Sequence, residues 1–131
     1  MGMIVSPTAL ETAMATLALT KDTFESTIED NDIVLLDFWA QWCGPCRMFG
    51  PVFEEASNTH TDIVFGKIDT EAQQELAGAL GIMSIPTLMI FREGIGVFSQ
   101  PGALPAAALE NLIEQVRALD MNEVRAAVAS Q

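Results

Sequence analysis

Ile33-Val34-Leu35-Leu36-Asp37-Phe38-Trp39-Ala40-Gln41-Trp42-Cys43-Gly44-Pro45-Cys46 is the stretch from which this chain is best read. Its first eight residues form a near-continuous apolar run, the pattern of a strand covered on both faces. The residues after it, Arg47 to Ala56, have the composition of a helix. A Cys-x-x-Cys at such a strand-to-helix turn puts both sulfurs on one face of the first helical turn. Residues three apart are neighbours there, within reach of a disulfide. Pro45 suits a first turn because the N–H it lacks has no helical partner at that position.

Working outward, Ala15 to Leu19 alternates as an edge strand, and Thr20 to Ile28 starts a helix with Phe24 and Ile28 on one face. Asp62 to Asp69 reads as a second buried strand. Glu71 to Leu80 reads as a helix ended by Gly81. Pro86 to Phe91 is a third strand, Arg92-Glu93-Gly94 a tight turn and Ile95 to Ser99 a fourth strand. Pro105 opens a helix with Leu109, Leu112, Ile113, Val116 and Leu119 on one stripe. The alternation predicts an α/β fold, a central mixed β-sheet flanked by helices on both faces, with right-handed parallel crossovers. Residues 1–14 form an N-terminal extension, in which Ser6-Pro7 is either a helix start or part of a frayed tail. Residues 120–131 are a C-terminal extension. There Asp120-Met121-Asn122-Glu123 either caps a second short helix or lies within one long helix.

With 131 residues, half of them apolar, the chain suits one domain with a sizeable core. Eighteen acidic against six basic residues give a formal charge of −12, which opposes nucleic acid and anionic membrane surfaces as partners. No apolar stretch approaches the ~20 residues that span a bilayer, and no Lys or Arg precedes position 21, so no membrane segment or export signal is expected. The two cysteines cannot supply the four ligands of a structural zinc site, and the single histidine, His60, reads as a solvated loop residue. No metal is expected. Met48, Phe53, Phe38 and Trp39 read as core.

The chain resembles the thioredoxins over Ala15 to Leu119. The resemblance is carried by Asp37-Phe38-Trp39-Ala40, Trp42-Cys43-Gly44-Pro45-Cys46, Pro51, Lys67, Ile85-Pro86-Thr87, Phe91-Arg92-Glu93-Gly94 and Gly102-Ala103. It departs from the common pattern at Gln41, at Arg47 and at Pro101, which removes a backbone donor at the groove and would narrow substrate choice. The resemblance implies a thioredoxin domain over 15–119 and protein disulfide reduction as the activity. Electrons would come from a thioredoxin reductase and go to oxidised protein substrates, a role in cell redox homeostasis.

Disulfide exchange needs one reachable thiolate and a second thiol that expels the mixed disulfide. Cys43, at the exposed start of the helix, is expected to be the nucleophile, and Cys46, a turn deeper, the resolving thiol. A helix N-terminus stabilises a charge by ~0.3–1 kcal/mol and at most ~2, which lowers a thiol pKa of ~8.5 by roughly one unit. Thioredoxins are themselves the standing example of this moderate case. Gly44 and Pro45 bring neither charge nor imidazole between the cysteines, which favours a reductant. Asp37 sits in an apolar strand, a costly place for a carboxylate without a partner or a task. The resemblance makes it the proton acceptor for Cys46 with Lys67 as counter-charge; the alternative is a purely structural buried pair. The resemblance also puts Pro86 in a cis bond. It surrounds Cys43 with Trp42, Ile85, Pro86, Pro101, Gly102 and Ala103 as the substrate-binding surface, Trp42 having simple packing over the helix start as its alternative.

No Gly-x-Gly-x-x-Gly is present, so no bound cofactor is expected beyond the redox-active cysteine pair, any flavin or nicotinamide belonging to the reductase. A cytoplasmic monomer is expected. The competing reading is a client-binding module that uses the terminal extensions, with the dithiol secondary.

Overall fold

The computed structural model describes residues 15–131, so the reading of Ser6-Pro7 lies outside the described residues. Five strands form one sheet: β1 (Leu17–Ala18), β2 (Ile33–Trp39), β3 (Val64–Asp69), β4 (Thr87–Arg92) and β5 (Ile95–Pro101). Their order is β1-β3-β2-β4-β5; β1–β3 and β3–β2 run parallel, β2–β4 and β4–β5 antiparallel. The helices are α1 (Lys21–Asp30), α2 (Gly44–Thr59), α3 (Gln74–Ala79), α4 (Ala106–Arg117) and α5 (Met121–Ala129). The mixed sheet covered on both faces is the architecture the alternation of elements predicts.

β2 holds the centre because its side chains feed two cores at once. Ile33 and Leu35 point to one face, where Phe49, Phe53 and Ala56 of α2 meet Leu109, Ile113 and Val116 of α4. Val34, Leu36 and Phe38 point to the other, with Ile28 of α1 and Leu76 of α3. Each such fully buried side chain contributes about 1.5–3 kcal/mol, so β2 is anchored from both sides. By the same alternation Asp37 falls on the α2 side, and its parallel register partner is Lys67. Gly66 faces the opposite side and must be small, since a Cβ there would lie 2.6 Å from Leu19 Cδ1 and 3.2 Å from Leu36 Cδ2.

Several local expectations are revised. α3 starts at Gln74 rather than Glu71, because Asp69 Oδ1 accepts the N–H groups of Glu71 (2.9 Å) and Ala72 (3.4 Å) and folds 70–72 into a turn. β5 runs on through Pro101, which pairs with Thr87. Met48 is not core but 73% exposed, since Phe49 and Phe53 take the buried stripe of α2. His60 is not a solvated loop residue. It caps the end of α2, where Arg117 donates to its Nδ1 (3.1 Å) and its Nε2 lies 2.7 Å from Glu110 Oε1. Arginine can only donate, so the proton sits on Nε2 and is given to Glu110. At the C-terminus the two-helix alternative holds: Asp120 accepts the N–H groups of Asn122 (3.0 Å) and Glu123 (3.3 Å) and starts α5 as a separate helix.

Candidate active site

At the C-terminal end of β2, the central strand, Ala40 O accepts the N–H of Cys43 at 3.2 Å and turns the chain into α2. Cys43 is the N-cap, and its sulfur accepts the N–H of Cys46 at 3.2 Å. That is one of the first-turn donors that have no partner within the helix. The two cysteines are joined as a disulfide with Cα atoms 5.3 Å apart, so this is the oxidised form. The amide and the α2 dipole both point at Cys43 Sγ and would stabilise negative charge there once the bond is reduced.

Accessible area does not distinguish the two sulfurs, contrary to the expectation of an exposed Cys43 above a deeper Cys46: the residues are 3% and 5% exposed. What distinguishes them is the cleft that each faces. Cys43 lines an apolar groove of about 500 Å³ with Trp42, Pro45, Ile82, Met83 and Ile85. Cys46 lines a second cleft of about 290 Å³ on the other side, with Trp39, Gly50, Glu54 and Lys67. Each cleft is thus lined by one cysteine of the disulfide. Packing against the disulfide are Ala40, Trp39 and Ile85.

Of the residues expected around Cys43, Trp42 and Ile85 line the groove, whereas Pro86, Pro101, Gly102 and Ala103 are not among its lining residues. Ile85-Pro86 is cis, and the Ile85 carbonyl lies 3.7 Å from Cys43 Sγ, a contact that can become a hydrogen bond only when the sulfur carries a proton. Gly102, at φ +111°, donates its N–H to Pro86 O at 2.8 Å, which brings Pro101-Gly102-Ala103 alongside Ile85-Pro86. Trp42 is 66% exposed, and its Nε1–H donates to Glu71 Oε2 at 3.1 Å. Thr70 ties that turn to the end of β2 through two bonds to Trp39 O, from its N–H (2.9 Å) and its hydroxyl (3.1 Å). Trp42 thus lines the groove with an exposed indole that is held by its edge. Met83, 95% exposed on the same groove, and Glu71 escaped the sequence reading. An exposed Met before an Ile-Pro carries no signal of its own.

On the cleft side Asp37 is 1% exposed, and neither carboxylate oxygen has a hydrogen-bond partner. Burial pushes its pKa up to about 7, against the opposing pull of the Lys67 ammonium and with a further push from Glu54. Lys67, the counter-charge that the resemblance implies, acts on Asp37 without a direct ion pair to it. Its Nζ donates to Glu54 Oε2 at 3.3 Å and lies 5.3 Å from the Trp39 ring centroid. Nothing in the sequence marks Glu54 either, beyond its place eight residues after Cys46, about two turns along α2. Among the described residues no cluster of three or more His, Cys, Asp or Glu side chains is placed to hold a metal ion, and no helix is long and apolar enough to cross a membrane.

Residues 15–115 match the thioredoxin family model. A putative thioredoxin 2 of Streptomyces coelicolor is 63% identical over 117 residues, covering 89% of this chain and 87% of that protein. The thioredoxin of Bacillus subtilis is 41% identical over 103 residues, 78% of this chain and 98% of its own. Among solved structures, a mutant thioredoxin from Halobacterium salinarum superposes with a TM-score of 0.74 at 39% identity, covering 79% of this chain and 92% of that one.

Proposed function

The chain belongs to the thioredoxin family, and from that premise we propose a role for each residue of its site. The activity is protein dithiol–disulfide exchange, and the redox group is the chain's own Cys43–Cys46 pair, with no further cofactor needed. Family membership implies a thioredoxin reductase and disulfide-bearing proteins as partners.

In the reduced protein the Cys43 thiolate attacks one sulfur of a substrate disulfide. That S–S bond breaks, a Cys43–substrate disulfide forms and one substrate thiolate leaves. Cys46 passes its proton to Asp37 and attacks Cys43 Sγ. The mixed disulfide breaks, the Cys43–Cys46 bond forms, and the second substrate thiolate leaves and takes up a proton. Two electrons have then moved from dithiol to substrate, and the reductase returns two electrons with two protons. Asp37 suits the acceptor role because a base works best with a pKa near the operating pH, and burial brings its own to about 7. Lys67 tunes that carboxyl, while Gly44 and Pro45 keep the first turn free of charge. Trp42, Ile85, Pro86, Pro101, Gly102 and Ala103 bind the substrate strand beside Cys43. We place the protein in the cytoplasm as a monomer, with no membrane attachment; the acidic surface, which disfavours anionic membranes, supports the last of these.

The observation that carries this assignment is the Cys46 N–H donated to Cys43 Sγ on the groove side of the disulfide. Reductase-coupled reduction of insulin tests it. Cys43→Ser is expected to abolish turnover, and substantial turnover by that variant would overturn the assignment.

A further inference from the structure

Glu54 has no part in the exchange just described, yet its position is unlike that of an ordinary surface carboxylate. It lies on the cleft face of α2, in line with Cys46 and Gly50, and accepts from Lys67 Nζ at 3.3 Å. Gly50 lies against that ammonium, since a Cβ there would sit 3.7 Å from Nζ, an ordinary contact distance. Trp39 covers another side of Lys67, with its ring centroid 5.3 Å from Nζ. Lys67 is thus held between Glu54 and Trp39 at the cleft, while the carboxylate of its register partner Asp37 goes without a hydrogen bond.

We propose that Glu54 is a positioning residue for the resolving step: by holding Lys67 at the cleft it sets the pH at which Asp37 exchanges a proton with Cys46. The proposal rests on the proton-acceptor role assigned to Asp37 above. The ionisable groups that bear on Asp37 are few. Lys67 lies beside it on β3, Glu54 faces it from α2, and the Cys46 thiol joins them on reduction, whereas its β4 neighbour is Leu88. With Glu54 in place, the Lys67 charge is shared between two carboxylates and a second negative charge stands near the first. Both effects help Asp37 keep its proton. Without Glu54 the ammonium serves Asp37 alone, which ionises at lower pH and becomes a weaker base.

The test compares Glu54→Gln with Glu55→Gln, which removes the same charge one residue along α2. The first readout is the Asp37 titration, followed by carboxyl-carbon NMR in the oxidised protein. The second is the pH profile of single-turnover reduction of a protein disulfide. Glu54→Gln is expected to move the Asp37 midpoint and the acid limb of the profile down together by about one pH unit, the size of losing one nearby charge in a partly solvated site. Glu55→Gln is expected to move neither, and Glu54→Asp to restore part of the shift. A Glu54→Gln protein that melts earlier but titrates and turns over as the parent does would overturn the inference and leave Glu54 as a structural ion pair. Equal shifts in both variants would also overturn it, in favour of the general field of the protein. Asp37→Asn separates the two levels. If it keeps the parent's acid limb, the proton-acceptor role itself fails, while the Asp37 titration in Glu54→Gln still judges the electrostatic effect.

Discussion

The Asp37 carboxyl titrates near pH 7 in the native protein against an ordinary value of 3.8, and that difference has a measurable cost. Between those two values the native state keeps a proton that the unfolded chain has released. The contribution to stability is therefore complete below pH 3.8 and declines as pH rises towards 7. At about 1.4 kcal/mol per pH unit the loss is on the order of a few kcal/mol. Asp37→Asn is expected to raise the denaturant midpoint above pH 7 and to change it little below pH 4. A gain of equal size at both pH values would contradict the burial argument. Trp42 invites a different experiment. Glu71 Oε2 holds its indole N–H, so Glu71→Ala should raise KM for a protein disulfide several-fold while sparing the rate with a small disulfide. Equal losses with both substrates would mean that the bond only stabilises the turn. Asp37 could be picked out of the sequence because a carboxylate inside Leu35-Leu36-Asp37-Phe38 violates the pattern. Glu54 and Glu71 could not, because charged residues on helices and turns are what solvent normally meets.

Among the elements, β2 and the existence of α2 are legible in the sequence, since an unbroken apolar run feeding a Cys-x-x-Cys leaves little freedom. The bounds of α2 are not: it starts earlier, at Gly44, and runs further, to Thr59, than Arg47 to Ala56. The C-terminal stretch was legible only as two alternatives, and the contact that bears on them is remote in sequence. Arg92, at the end of β4, donates to the carbonyls of Val116 (2.8 Å), Arg117 (3.2 Å) and Leu119 (3.1 Å), closing α4 where Asp120 opens α5. Arg125 of α5 pairs in turn with Glu93 in the β4–β5 turn. Hydrogen bonds to a charged group are each worth about 1.5–3 kcal/mol, and here the two N–H protons of a single Nη1 are shared among the three carbonyls. Arg92→Met is expected to cost about 2 kcal/mol of stability. It should speed hydrogen exchange in α5 while leaving disulfide reduction intact; unchanged exchange in α5 would contradict this account of the corner. His60 shows the same limitation of local reading. Its partners Glu110 and Arg117 come from α4, fifty or more residues on, and no local pattern announces them. Met48 shows the opposite case: it is hydrophobic yet exposed, because Phe49 and Phe53 fill the inward stripe of α2.

For the molecule as a whole, a formal charge of −12 and two clefts, each lined by one cysteine of the disulfide, define how it meets its partners. Charge acts on encounter more than on fold. Reduction of a basic protein disulfide should therefore slow as salt rises from low ionic strength, and reduction of an acidic one should quicken. Identical salt slopes for the two would contradict electrostatic steering. The groove on the Cys43 side is apolar and open, suited to extended segments, while the cleft on the Cys46 side carries Glu54 and Lys67, suited to the proton. This division makes the attacking and resolving sulfurs distinguishable by experiment even though they are almost equally buried. The most direct measurement is trapping: reduced Cys46→Ser and Cys43→Ser proteins are each mixed with an oxidised protein substrate, and the covalent adducts are mapped by mass spectrometry. The account predicts a stable mixed disulfide at Cys43 in the Cys46→Ser protein and little or none in the Cys43→Ser protein. Faster or more complete trapping at Cys46 would contradict it.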